Sequence, residues 1–201
     1  MRKTKVFGWL LGIIFCACMA AWMPVTVFAA ETPSDLTVNI DTGVFVTLKD
    51  SDGDSYYEIG TADELYAFAA AVNGGKNTIN AILTENIVIN SHVLDADGKL
   101  ISDTKALRLW NPIGWYQSKA NFLAYEGSFI GNDKTVCGLY YDSSEKIHAG
   151  LFGYSTGTVS DLTITDSYIR NTHSDGRACL AISYNKGSII NCHTSAITTS
   201  G

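Results

Sequence analysis

The sequence predicts an all-β chain built as a stacked coil of strands, a solenoid, preceded by an N-terminal β-hairpin and one amphipathic capping helix. Three observations point there. A glycine-rich apolar unit at 149–164 is followed by a degraded copy at 179–194. Between the two, Gly157 maps to Gly187, Val159 to Ile189, Asp161 to Asn191 and Leu162 to Cys192. A third copy is read upstream of the first, at Thr135-Val136-Cys137-Gly138-Leu139. Units of this length, with β-branched runs between glycine turns, bury their apolar face only by stacking on their neighbours.

The hairpin comes first. Residues 35–41 and 44–48 alternate apolar and polar side chains and read as two strands with Asp41-Thr42-Gly43 as the turn. A short third strand follows at 55–59. The helix is set at 61–75. Thr61 is its N-cap and Glu64 stands at capping-box spacing. Leu65, Phe68, Ala69 and Val72 form one apolar stripe, and Asn73-Gly74-Gly75 ends it. An amphipathic helix placed just before the first coil would cover the open end of a β-stack. The coils are assigned to 76–201, with 91–105 as a polar loop or side hairpin carrying a turn at 95–98.

The segment 1–29 reads as a secretory signal peptide. Arg2, Lys3 and Lys5 precede an apolar run from Val6 through Phe28, and Val27-Phe28-Ala29 supplies small-residue cleavage chemistry. The segment 30–60 then holds a short leader and the hairpin. The whole chain carries a net charge of −6. Losing the three basic residues of the leader takes it to about −9, which argues against nucleic acid as a partner class. Five cysteines become three, Cys137, Cys179 and Cys192. An odd number gives no disulfide framework, and a single bridge among them stays open.

Four motifs in order resemble a known family. The run Tyr56 through Leu65, continuing to Val72-Asn73-Gly74-Gly75, resembles a capping segment of secreted proteins of Gram-positive bacteria. Trp110-Asn111-Pro112-Ile113-Gly114, then Gly127 to Asn132, then Thr135 to Leu139, resembles the coil that follows it. Gly150-Leu151-Phe152-Gly153 is similar to the GLUG repeat of bacterial surface proteins. The second copy departs from it, reading Leu180-Ala181-Ile182-Ser183. The resemblance implies a right-handed parallel β-helix of the pectin-lyase-like type and a secreted or cell-surface, adhesin-like or scaffolding role. The chain stops at Gly201 in mid-repeat, so the expectation is the N-terminal part of a larger surface protein.

In such a stack Val136, Val159 and Ile189 are expected in one inward column and Leu139, Leu162 and Cys192 in another. Phe129 and Phe152 would fill the wide part of the interior. Gly131, Gly153, Gly157 and Gly187 would take corners where a side chain clashes or φ is positive, and Asp161 and Asn191 would sit at equivalent corners.

Little is left over for chemistry. Asp50, Asp52 and Asp54 place carboxylates at alternate positions and could ligate calcium. Gly53 and Thr61 fall where an EF-hand loop needs other residues, and an acidic hairpin turn is the competing explanation. No other cofactor is expected. His173, Asp175, Cys179, Cys192 and His193 match no zinc spacing. Pectin-lyase-like folds also host polysaccharide lyases and glycosidases, which need paired carboxylates or an acidic cluster beside a basic residue. Asp161, Asp166, Asp175, Arg170 and Arg177 are the groups available. Repeat corners and inter-coil loops account for them, so no catalytic residue is assigned. An enzyme acting on polysaccharide, or a carbohydrate-binding protein, is the alternative to a non-catalytic module.

Aromatic residues are the better pointer to binding. Trp115, Tyr116, Tyr125, Tyr140, Tyr141, Tyr154, Tyr168 and Tyr184 are read as an exposed set, with Trp115, Tyr116, Tyr154 and Tyr184 as the candidate binding face. Tyr154 and Tyr184 lie one repeat apart and suit a ladder, which would equally stabilise stacked coils. Expected partners are a host or cell-wall glycan or protein, and a second copy of the chain through an open C-terminal coil edge.

Overall fold

Alternation of apolar and polar residues over 35–48 gives a hairpin, as expected. The computed structural model describes residues 35–41 and 43–200. The signal peptide assigned to 1–29 lies outside the described residues. Strands β1 (Leu36–Asp41) and β2 (Val44–Leu48) pair antiparallel, Leu36 opposite Leu48 and Val38 opposite Val46. Strand β3 (Tyr56–Ile59) follows, joined to β2 by a bridge between Lys49 and Glu58.

The capping box then starts the helix. Glu64 N–H donates to Thr61 Oγ1 at 3.2 Å, and Glu64 Oε2 accepts from the backbone N–H of Thr61 at 2.9 Å and of Gly60 at 2.8 Å. Two orphan donors at the helix start are thereby satisfied. Helix α1 (Ala62–Asn73) buries the expected stripe, and Ala67 and Ala71 besides. Gly75, at φ +103°, is the residue past its end that takes the left-handed conformation.

The rest is strand. β4 (Asn80–Leu83) and β5 (Ile87–Val88) form the first coil. A loop with a bridge between Leu94 and Leu100 follows, the side hairpin of the sequence reading. β6 (Trp115–Ser118) and β7 (Asn121–Leu123) make an antiparallel hairpin that the repeat pattern did not announce. Then come β8 (Ser128–Cys137), β9 (Tyr140–Ser143), β10 (His148–Ala149), β11 (Phe152–Ser155) and β12 (Thr158–Asn171). β13 (Arg177–Ala178), β14 (Ile182–Asn185), β15 (Ser188–Ile190) and β16 (His193–Ser200) are the last of the described strands.

The described residues are mostly strand with one helix, so the all-β expectation holds. The main sheet runs β15-β12-β8-β4-β3, with β5 and β9 on the first coils and β16 beside β12. All its pairings are parallel. Two smaller parallel pairs, β10-β13 and β11-β14, repeat the same stacking on other faces. The ladders are separate sheets, not a closed barrel.

Stacking produces columns. Tyr57, Ala81, Phe129, Val159 and Ile189 succeed one another across five strands. The first four are buried, and Ile189, on the last strand, is half exposed at 47%. Phe129 and Phe152 fill the interior as expected, with ring centroids 5.4 Å apart. Phe68 of the helix joins Phe129 at 5.7 Å, and Tyr125 joins Phe152 at 5.2 Å. The helix therefore contributes directly to the core.

The earliest repeat copy is placed differently from the expectation. Val159 stacks on Phe129, not on Val136, and Leu162 stands opposite Lys134, not Leu139. The offset between strands is not constant: it is longer from Ser128 to Thr158 than from Thr135 to Thr163. Gly131-Asn132-Asp133 rounds a corner in β8 that the single residue Asp161 rounds in β12. Strand β12 carries two similar pairs, Thr158-Val159 and Thr163-Ile164, and Thr135-Val136 belongs with the second. The matching of Val159 to Ile189 stands.

At the corner, Asn132, Asp133, Asp161 and Asn191 all have positive φ, between +49° and +57°. Short polar side chains tolerate this by bonding locally. Asn191 Nδ2 donates to Asp161 Oδ1 at 3.0 Å, and Asn132 Nδ2 donates to the Leu83 carbonyl at 3.1 Å. The Asp161–Asn191 equivalence is therefore a bond as well as an alignment. The expected corner glycines serve by size and not by φ. An added Cβ at Gly157 would lie 2.0 Å from Gly127 O, and one at Gly187 would lie 1.8 Å from Gly157 O.

Gly157→Ala should therefore cost on the order of 3 kcal/mol, because backbone and not a movable side chain blocks the methyl. Gly43→Ala, at φ +83° with open space around it, should cost only about 1 kcal/mol. Urea unfolding midpoints of the two variants check the order, and equal losses would contradict the close-packed glycine column.

Candidate functional site

Strand alternation sends Tyr154 and Tyr184 to the same outer face, and the parallel pairing of β11 with β14 sets them directly opposite. Their rings stack with centroids 4.9 Å apart and planes 24° apart, the ladder expected from the sequence. The β6–β7 hairpin lays Tyr116 against both, edge-on, at 6.1 Å from Tyr154 and 5.8 Å from Tyr184. Phe122 backs Tyr116 at 6.2 Å. Three of the four binding-face candidates thus meet. Trp115 does not. It precedes Tyr116 in the same strand and so turns to the other face of the hairpin.

The exposed aromatic set is smaller than the sequence suggested. Tyr125, Tyr140, Tyr141 and Tyr154 are buried. Their hydroxyls make this tolerable: Tyr125 donates to the Ile79 carbonyl at 3.1 Å, and Tyr141 accepts from Lys146 N–H at 3.3 Å. Trp115, Tyr116, Tyr168 and Tyr184 remain partly exposed.

His148 completes the cluster and had no mark in the sequence reading. It is 4% exposed, stacks on Tyr184 at 5.1 Å and 16°, and meets Tyr116 edge-on at 5.7 Å. Its protonation pattern follows from one neighbour. Ser183 Oγ spends its only hydrogen on the Arg177 carbonyl at 3.1 Å. The contact between His148 Nδ1 and Ser183 Oγ, 3.2 Å, must then be donated by the ring. This leaves Nε2 as a bare acceptor. Burial first, and then the Arg177 charge, push the His148 pKa down, so the ring is neutral at neutral pH.

A groove of about 410 Å³ opens beside these rings. Tyr116, Gln117, Ser118, His148, Asp175, Arg177 and Tyr184 line it with Ile147. Asn171 anchors its far wall. That side chain is fully buried and donates to the carbonyls of Lys146, Ile147 and Arg177 at 3.0–3.1 Å. Its Oδ1 accepts from His173 N–H at 3.1 Å, which fixes the loop bearing Asp175.

The remaining candidates are dispersed and structurally occupied. Asp166 accepts from the backbone of Val93 and Leu94, at 3.2 and 2.8 Å. Arg170 holds Asp142 in a bidentate pair at 2.7 and 2.8 Å. Asp161 belongs to the corner. Asp50, Asp52 and Asp54 bring carboxylate oxygens within 4.8 Å of one another. Each also accepts a backbone N–H of its own turn, from Gly53 and Ser55, from Asp54, and from Tyr56. The turn itself explains their convergence. Cys137, Cys179 and Cys192 are free thiols, each half-buried.

Comparison with protein family models, with characterised proteins and with solved structures gives no match for the chain.

A histidine whose pKa is lower folded than unfolded lets the unfolded chain bind the proton first. Stability present above the unfolded value, roughly 6.5, is then lost as pH falls through it towards the folded pKa. The urea midpoint should fall between about pH 7 and pH 5, and His148→Gln should flatten that slope. An unchanged slope in the variant would assign the effect to another group.

Proposed function

We propose that the chain is a secreted, non-catalytic surface module. In this reading the parallel ladders are faces of a right-handed β-helix of the GLUG, pectin-lyase-like kind, and the hairpin and helix are its cap. Its role is adhesin-like or scaffolding, at the surface of a Gram-positive cell, with a glycan or protein of the host or cell wall as partner. One observation carries it: the repeat residues are consumed by stacking, and the ring-lined groove gathers the groups that are not. The basic start and apolar run of the segment 1–29 support export.

The competing enzymatic reading has less behind it. Hydrolysis of a glycosidic bond calls for two facing carboxylates, and Asp175 is the one carboxylate lining the groove among the described residues. Turnover assays on plant and host polysaccharides decide this. No cleavage is expected, whereas cleavage abolished by Asp175→Asn would replace the module by an enzyme. Export is checked separately: the protein recovered outside expressing cells should begin at Ala30 by mass spectrometry, and retention of the segment 1–29 in the cytoplasm would sink it.

The same reading has the last coil edge pairing with a second copy. Ile189 and Ile190 of β15 are 47% and 53% exposed, and β15 and β16 carry no Lys, Arg, Asp or Glu to blunt the edge. The opposite edge, β3, is bridged by β2 through Lys49 and Glu58. With β3 bridged, the β15–β16 end is the uncovered edge of the main sheet among the described residues, and pairing it with its own copy makes a closed pair and not a fibre. Light scattering across a concentration series should show dimers that Ile190→Lys disperses. A monomeric mass throughout would remove this part of the proposal.

A further inference from the structure

We infer that the groove between β6, β10, β13 and β14 binds a neutral pyranose glycan. The inference deepens the surface-module reading by naming the ligand class, and it rests on that reading only in placing the groove outside the cell.

The groove offers polar groups that the fold leaves unspent. The side chains of Asp175 and Arg177 make no hydrogen bond or ion pair among the described residues; the two ion pairs found there join Arg108 to Asp63 and Arg170 to Asp142. His148 Nε2 is a third. No donor reaches it, yet no buried side-chain nitrogen or oxygen among the described residues lacks a hydrogen bond. The atom therefore reaches solvent, and the residue lines the groove. One donor fork, one carboxylate and one neutral acceptor thus converge beside the Tyr116 and Tyr184 rings.

This set selects among ligand classes. A hydrocarbon would bury Asp175, Arg177 and His148 Nε2 without partners, at a cost of ~1–3 kcal/mol for the neutral imidazole nitrogen and more for each of the two charged groups. A carboxylated or sulfated ligand would meet Arg177 but also Asp175, and a cation would meet the reverse pair. The formal charges of the lining cancel, since His148 is neutral. A pyranose fits both halves of the lining. Its C–H face packs on tyrosine rings, and its hydroxyls donate to Asp175 and His148 Nε2 while accepting from Arg177. The supports are rigid: Ser183 fixes the imidazole, and Asn171 fixes the strand and loop carrying Arg177 and Asp175.

The test is calorimetric titration of the mature protein with neutral hexasaccharides (cellohexaose, mannohexaose, maltohexaose) and acidic ones (hexagalacturonate, a heparin hexasaccharide). At least one neutral ligand should bind, more tightly than either acidic one. Tyr184→Ala and Arg177→Ala should each weaken it by roughly tenfold or more. Tyr168→Ala, on the separate Tyr140–Tyr168 stack, should stay within about twofold. Arg177 is exposed, so its variant tests the site even if Tyr184→Ala misfolds. Preference for an acidic ligand, binding unchanged in Arg177→Ala, or no binding to any of the five overturns the inference. Such a failure with export intact leaves the surface module standing without this ligand. Glycan binding by a chain that is not exported removes the module and keeps the site.

Discussion

Backbone stacks on backbone at Gly127, Gly157 and Gly187, and the rest of the structure depends on that contact. The N–H of Thr158 donates to Gly127 O at 3.0 Å, and the N–H of Ser188 donates to Gly157 O at 2.9 Å. A Cβ at Gly157 or Gly187 would lie 2.0 Å or less from the carbonyl of the glycine before it. This spacing sets the height at which every other column meets its neighbour. With it fixed, Phe129 meets Val159, Tyr154 meets Tyr184, and Asp161 comes within bonding reach of Asn191. A side chain at the glycine position would push the coils apart and weaken all of these together, since interiors tolerate little added volume.

The corners explain how far the sequence could be read. Between the last two coils the spacing holds from Phe152 opposite Ile182 through Thr165 opposite Ser195 and shortens only outside that stretch, at His148 opposite Arg177 and Tyr168 opposite Ile197, so Val159 to Ile189, Asp161 to Asn191 and Tyr154 to Tyr184 were legible at once. Between the β8 coil and the β12 coil it changes at mid-strand, because Gly131-Asn132-Asp133 together make a turn that Asp161 makes alone. A fixed-period comparison slides past such an insertion, and Thr135-Val136 was then drawn to the wrong Thr-apolar pair. A signal was present: Gly followed by Ser or Thr and then an apolar residue recurs at 127, 157 and 187. That triplet is the close-packed position itself. The helix, by contrast, was legible residue by residue, because capping and amphipathicity are local properties of one segment.

The site was only half legible for a related reason. Tyr154 and Tyr184 belong to the repeat, and their spacing announced them. Tyr116 was named for being aromatic, but its place depends on the β6–β7 hairpin, which lies off the repeat. His148, Asp175 and Arg177 sit on short strands and a loop between coils, where nothing periodic marks them. They are assembled by Asn171, whose one amide reaches three carbonyls that are 25, 24 and 6 residues away in sequence. A contact of that kind leaves no pattern in the chain.

Stacking and binding compete for the same rings. Tyr154 is 5% exposed, covered by Tyr184, Tyr116 and Phe122, and cannot offer a face to a ligand. Its work is support: a stacked aromatic pair contributes about 0.5–1.5 kcal/mol beyond its buried area and holds the upper ring in place. Tyr184 stands at the last coil, with Tyr154 and His148 stacked against it and Lys186 Nζ 5.4 Å from its ring centre. A ladder of this type spends its lower ring on the fold and leaves its terminal ring for contact. The ladder that stabilises coils and the platform that meets a ligand are then one structure, with the division of labour set by position in the stack. A further ring stacked on Tyr184 would therefore deepen the core and close the platform together.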